Sequence, residues 1–315
     1  MIVGIDISKD TFDASWVVSD REHSKKYDYD KLGLKSFFND TPDDALFLME
    51  ATGVYHTLLA LKLYETKRQV SVCNPLVIKR YSQMKLTRAK TDKADARLIR
   101  MFGEENNPSI WSPNSEEINE LKQAHSWLND QIQERTRLLN RQEAHNHQAQ
   151  KSTFVKKQMN SQLKSLNLQI KDCEKHLEKV VKKHFADLYS RLLTIPSIGS
   201  KTALELIIIT GGFSRFEDIK SLSSYVGVSP TNYESGISVK GKGHIAKMGN
   251  GRIRQLLYIC SWTAKSCNTS CKELSERMSE KGKAKKVINI AIAHKLLRQA
   301  FAVATKNVTY SVNYA

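Results

Sequence analysis

Four carboxylates stand where local structure gives no reason for them. Asp6 interrupts the apolar run Met1–Ile5, and Glu50 ends a second apolar run, Ala45–Met49. Both therefore fall at or near the ends of buried strands, where an unpaired charge is costly and normally marks a metal or a functional partner. Asp92 and Asp95 are three apart in a stretch, Thr91–Arg100, that reads as helix, and that spacing puts both side chains on one face. Two strand carboxylates with a helical pair form the pattern of a divalent-metal phosphodiester site, because hard oxygen ligands suit hard cations.

A second interval, Tyr225–Arg254, has a different chemistry. Its last part, Val239–Arg254, carries Lys240, Lys242, Lys247, Arg252 and Arg254, no acid, and interleaved glycines. Glycine lets a backbone come close to phosphate and the cations supply charge, so this reads as a nucleic-acid cradle. Gly241, Gly243 and Ala246 mimic a dinucleotide fingerprint only superficially, since the strand and the later acid that such a site needs are missing. Ser235, followed by Gly236, is the residue to single out as a nucleophile, given a base, a metal or a cationic setting to activate it. Ser-Gly is also an ordinary turn pair, and Ser229 and Ser238 are rivals for the same role.

The elements that must position these groups follow from pattern. Residues 1–7 and 11–18 are β-rich runs around a turn-like Ser8-Lys-Asp10, which fits a hairpin, and a polar strand follows near 23–29. Helix is expected near 32–38 and 54–65 and strand at 45–50 and 69–74, with helices after them. A hairpin first and strand–helix alternation after it predict a mixed sheet flanked by helices, an order that the ribonuclease H-like architecture satisfies and a doubly wound parallel fold does not.

From Ser115 to Phe185 there is no glycine or proline, and residues step by three and four through Ile118, Leu121, His125, Leu128, Ile132, Arg135 and Leu139, then again through Met159, Leu163, Leu166, Ile170, Cys173, Leu177 and Val180. This predicts two heptad-like helices joined near 140–157, a coiled-coil hairpin serving contact with protein, RNA or both; such a stripe is most often a packing seam. The segment Leu192–Leu206 has the local shape of a helix-hairpin-helix, or simply of a helix connection. The expected division is a catalytic domain at 1–110, the hairpin at 111–187 and a mostly helical domain at 188–315.

A chain of 315 residues with a net charge of +16 favours a polyanionic partner, and nucleic acid leads. No run is expected to reach the roughly 18 apolar residues of a spanning helix, and no basic segment precedes the first apolar run, so a cytoplasmic protein is expected. The odd number of cysteines, none in a Cys-x-x-Cys pair, argues against a disulfide framework and a structural zinc.

Taken together, the stretches Gly4–Lys9, Glu50–Tyr55, Lys90–Ala96, Ile195–Gly199, Tyr225–Pro230 and Ser235-Gly236 through Gly249–Arg254 resemble the Piv/MooV-type DNA recombinases, the transposases of the insertion-sequence-110 group, in the family's order and over essentially the whole chain. The resemblance implies a RuvC-like, ribonuclease H-fold domain whose Asp-Glu-Asp-Asp set is Asp6, Glu50, Asp92 and Asp95. It also implies a coiled coil and a transposase domain whose serine, Ser235 by motif position with Ser238 close by, becomes joined to DNA. Members are similar in using a noncoding guide (bridge) RNA from their own element to pair with donor and target DNA. The expectation is then a site with two Mg²⁺ or Mn²⁺ ions, composite because acids and serine fall in separate domains, in a dimer or tetramer without membrane contact. A junction-resolving nuclease using water, or a nonenzymatic nucleic-acid scaffold, are the competing readings.

Overall fold

Alternation of branched and aromatic residues with polar ones makes the early segments strands with two different faces. The computed structural model describes residues 1–86, 91–231, 234–235, 239–240, 244–246 and 249–311. The chain divides into two compact units, Met1–Pro113 and Asn114–Ala315.

In the first unit, β1 (Ile2–Ile7), β2 (Thr11–Val18) and β3 (Arg21–Asp28) form an antiparallel meander. The β1–β2 turn is closed by Ser8, whose N–H and Oγ both donate to Thr11 O at 2.9 and 2.6 Å. The chain then crosses through α1 (Lys31–Asp40) to β4 (Leu46–Glu50) and through α2 (Tyr55–Glu65) to β5 (Gln69–Cys73). These two strands run parallel to β1, giving the order β3-β2-β1-β4-β5. This is the mixed sheet flanked by helices that the pattern predicts. One face buries Val3, Ile5, Phe12, Phe37, Phe47 and Leu59. The other packs Leu48 and Cys73 against α3 (Pro75–Met84) and α4 (Asp92–Asn106) through Ile78, Tyr81, Ile99 and Phe102. Gly4 lets α4 sit on the sheet, because a Cβ there would lie 2.3 Å from both Ala96 O and Arg100 N.

The second unit opens with α5 (Glu116–Asn146) and α6 (Thr153–His184). The pairs Gln142–Asn160, Glu120–His176 and Glu117–His184 show that they run antiparallel. Both run further into the polar stretch than the expected joint at 140–157, because nothing there breaks a helix; the turn narrows to 147–152 and Ser152 caps α6 through Val155 N. Residues Ile118, Leu121, Leu177 and Val181 at the base of the pair share one core with α7 (Ala186–Leu193), α8 (Ser200–Thr210), α9 (Ile219–Val226), α10 (Gly251–Cys267), α11 (Thr269–Glu280) and α12 (Lys285–Thr305). Four strands of two residues each, β6 (Pro230–Thr231), β7 (Glu234–Ser235), β8 (Val239–Lys240) and β9 (His244–Ile245), lie between α9 and α10.

One helix departs from the expectation that no segment is long and apolar enough to cross a bilayer: α12 is, by length and composition. Its Ile288, Ile292, Leu296, Leu297 and Ala300 are buried in the core of the second unit, as in the central helix of a globular domain.

Candidate active site

The sheet register assembles the acids. Asp6 pairs with Asp13 across the β1–β2 hairpin, and Asp13 pairs with Lys26 on β3. On the other side, β1 and β4 are in register through Ile5 and Met49; carried one residue on, that register sets Asp6 beside Glu50, which itself pairs with Cys73. Paired residues point to the same side of a sheet, so Lys26, Asp13, Asp6 and Glu50 form one row across four strands. Gly4 and Leu48, two residues before Asp6 and Glu50, face α4, and Ser15 of β2 accepts from Arg100 Nε at 3.3 Å, so the row lies on the α4 side.

Helix α4 delivers the other pair. Thr91 caps it, accepting from Ala94 N at 3.2 Å, and Asp92 and Asp95 occupy the first turn, where a carboxylate is also favoured by the helix dipole. Asp92 is exposed and stands 3.8 Å from Lys26 Nζ; Asp6, Glu50 and Asp95 are half-buried, and Asp13 is buried. Thr52 Oγ1 donates to Glu50 Oε1 at 3.4 Å.

The electrostatics report the crowding. Burial and then the neighbouring charges of Asp95, Asp92, Glu50 and Asp13 push the Asp6 pKa up to about 6. Asp13 is raised as well, by burial and by Asp92, with Lys26 opposing. Asp6 thus feels all three of the acids expected to join it. These carboxylates interact across several ångströms, whereas ligands of one hard cation must come within roughly 2.0–2.6 Å of it. Among the described residues, no three acidic, histidine or cysteine side chains stand close enough to hold an ion as they are placed. The donor set nevertheless fits such a cation in kind, being all carboxylate oxygen with its mutual repulsion only partly offset by Lys26. Asp13 and Lys26 carry no mark in the sequence pattern, although residues 6 and 13 are mirror positions about a turn centred between 9 and 10.

The serine-bearing interval is positioned by neighbours on either side. Gly249 has φ +127°, and a Cβ on it would lie 2.0 Å from Tyr225 O; Asn250 N donates to that same oxygen at 3.1 Å, and Asn250 Oδ1 caps α10 through Arg252 N and Ile253 N. Ser229 O accepts from Ala246 N at 3.0 Å, beside the β6–β9 pair. Ser235 sits on β7 opposite Val239 of β8, and Lys240 pairs with Glu234. Lys242, Lys247 and Ser238 lie outside the described residues. Arg252 is exposed at the edge of a cavity of about 180 Å³, where His125 Nε2 stands 2.7 Å from buried Glu205. Arg254 has a structural role not foreseen from sequence: its Nη1 donates to Val226 O at 2.9 Å, at the C-terminal end of α9. In the Leu192–Leu206 segment, Gly199 is the N-cap of α8 with no side-chain cap bond; Gly199, Ser200 and Lys201 are exposed, while Thr202 and Ala203 are buried.

Comparison with known proteins matches two segments of the chain. A transposase family model of the DEDD IS110 type matches residues 3–151, and that of the Transposase IS116/IS110/IS902 family matches residues 189–276. The pilin gene-inverting protein of Moraxella bovis is 31% identical over 323 residues, 97% of this chain and 96% of its own. That of Moraxella lacunata is 32% identical, with the same coverage of both chains. The chain belongs to the IS110 family of transposases. A further relative, the transposase for insertion sequence element IS1328 of Yersinia enterocolitica, is 31% identical over 44% of this chain and 43% of its own. As an IS110-family transposase the protein is an enzyme of DNA transposition or recombination. Its four expected acids fall within the first matched segment, and Ser235 with its basic neighbours within the second.

Proposed function

We propose that this IS110-family transposase breaks and rejoins DNA through an ester between DNA phosphate and Ser235, and that Asp6, Glu50, Asp92 and Asp95 hold divalent cations, Mg²⁺ or Mn²⁺, at the scissile phosphate. The observation that carries the metal-site part is the convergence of charge on Asp6, driven up to about 6 by burial and by the other three acids of the set together with Asp13. Carboxylates gathered against their own repulsion are poised for a cation to relieve them. The sheet order, with its antiparallel first three strands and two parallel ones, supports the ribonuclease H-like reading of the first unit. The long α5–α6 pair supports the coiled-coil reading.

A cation held there supplies Lewis-acid polarisation of the phosphate. Everything else falls to the chain's own groups. The Ser235 hydroxyl gives up its proton as Oγ bonds to phosphorus; the bond from phosphorus to the 3′-oxygen breaks, and that oxygen leaves as a 3′-hydroxyl. A partner strand's 3′-hydroxyl then attacks the serine ester, freeing Oγ and restoring a phosphodiester. One ester replaces another, so no external energy source is required. Lys240, Lys242, Lys247 and Arg252 hold backbone phosphates; Arg254 shares that role with its grip on Val226. The +16 charge also supports a bound noncoding RNA that selects donor and target DNA, and exchange of four strands calls for a dimer or tetramer. The relatives that span the chain are named for inverting a pilin gene, so inversion and insertion are both outcomes of this chemistry.

The test is a denaturing gel of protein incubated with donor and target DNA, its copurified RNA and Mg²⁺. Wild type gives a covalent protein–DNA band; Ser235→Ala loses it while retaining RNA binding, and Asp95→Ala loses strand cleavage altogether. A band that survives in Ser235→Ala moves the nucleophile elsewhere. Cleavage without any band in wild type favours a nuclease that uses water.

A further inference from the structure

Away from the acids and the glycine-rich interval, α12 presents a row at positions 291, 295, 298 and 302, one helical face read at steps of four, three and four. Lys295 and Arg298 lie on it, and Arg277 of α11 faces them across a groove of about 440 Å³. The floor is apolar, with Leu274, Ala291 and Phe301, and no acid lines the groove. None of the three cations forms an ion pair among the described residues, although the acidic side chains on helix surfaces elsewhere in this unit repeatedly do, as in Glu178–Lys182 and Glu174–Lys201. Burial, and then Arg298, lower the pKa of His294, whose Nε2 is 2.9 Å from Ser223 Oγ, so the groove disfavours a further positive charge at this histidine.

The opposite face of α12 is held in the core by Ala293, Leu297, Ala300 and Ala304, so the row is carried on a rigid element. Cations converging from two helices with no acid lining the groove between them repel one another, and the repulsion is relieved by an anion lying along the groove. An extended phosphate backbone matches this better than a compact anion, because the charges are spread along an axis. The chain's surplus of positive charge and its DNA substrate point the same way.

We propose that the α11–α12 groove is a second nucleic-acid backbone site, in which Arg277, Lys295 and Arg298 grip phosphodiesters separately from the basic interval before α10. The proposal rests on nucleic acid being the partner, which the wild-type protein tests by itself. Fluorescence anisotropy of the full chain would be measured over a salt series with a labelled DNA duplex and, separately, a labelled RNA stem-loop. In the triple variant Arg277→Gln, Lys295→Gln, Arg298→Gln, the slope of log Kobs against log salt becomes shallower by about 0.9 for each duplex phosphate no longer neutralised, or about 0.7 on single strands. A matched triple on exposed residues of the first unit, Lys31→Gln, Lys35→Gln, Lys67→Gln, removes the same charge and leaves the slope near that of wild type. The charge-preserving variant Arg277→Lys, Arg298→Lys also keeps the slope.

A change confined to the duplex assigns the groove to DNA, and one confined to the stem-loop assigns it to RNA; both support the proposal. It is overturned if the groove triple matches wild type, if the first-unit triple falls as far, or if the charge-preserving variant loses the slope. Wild type that binds neither probe would instead sink the nucleic-acid reading itself.

Discussion

The acid row of the first unit and the cation groove of the second gather like charges by different means. Asp6, Asp13 and Glu50 are shorter side chains on adjacent strands, and their spacing is set mainly by backbone register, with about two or three side-chain torsions to spare. Arg277, Lys295 and Arg298 are long side chains on two helices separated by a loop, and their tips can follow a partner that moves. Positions held by register suit chemistry, which needs oxygens at fixed places. Positions held on flexible stems suit grip on a polymer whose phosphates pass by. The difference also predicts which substitutions are tolerated: little change at the row, gradual change at the groove.

The sharpest way to break the comparison is at Gly4. Gly4→Ala places a methyl 2.3 Å from the backbone of α4, so helix and sheet must separate and Asp92 and Asp95 lose their station over the row. Equilibrium urea unfolding should show about 3 kcal/mol of lost stability, with strand cleavage lost as well. If stability and cleavage both survive, register does not set the acids' positions.

Next is Asp13. Asp13→Asn keeps the size of a buried side chain and removes a charge that burial disfavours, so the melting temperature should hold or rise. Cleavage at a given Mn²⁺ concentration should nevertheless fall by about 10–100-fold, the range for groups that orient ligands from behind. Unchanged cleavage would restrict the functional row to Asp6 and Glu50.

The smallest effect concerns a cation held in the second unit. Lys122 is half-buried near Arg215, donates to Asn114 Oδ1 at 3.1 Å, and has its pKa pulled down to about 8, by burial first and Arg215 second. A lysine whose folded pKa is lowered costs stability where it must stay protonated, so the cost is full below about 8 and disappears as pH rises to its ordinary value of 10.5. Lys122→Met should therefore raise the melting temperature by about 2–4 °C at pH 7, and the gain should fade by pH 10.5. A gain that persists there would trace to packing instead of charge.

How much of this is legible in the sequence depends on whether residues near in space are also related by a local period. Asp6 and Glu50 can be seen because a carboxylate at the end of an apolar run is conspicuous, and Asp92 and Asp95 because three residues make one turn of a helix face. The strands and helices of the first unit fall close to where alternation puts them. Asp13 escapes notice because β2 reads as a good strand, and its importance comes only from facing Asp6 across the sheet. The turn at 147–152 is shorter than its polar surroundings suggest, because polarity without glycine or proline does not stop a helix. The cation groove is invisible, since Arg277 and Lys295 are joined by tertiary packing and by no period. Arg254 reads as one more phosphate ligand because a hydrogen bond to the carbonyl of Val226 leaves no trace in composition.

The tight turn at Ser8–Asp10, where Ser8 folds back on Thr11, works as a reading frame for the hairpin it closes. One residue added or removed between β1 and β2 would roll every following β2 side chain onto the opposite surface. With one residue added, the Phe12 ring would take the place beside Asp6; with one removed, Asp13 would be thrust among Phe12's former neighbours, Tyr27 and Phe37. Relatives that keep this chemistry should therefore vary that loop in sequence but hardly at all in length.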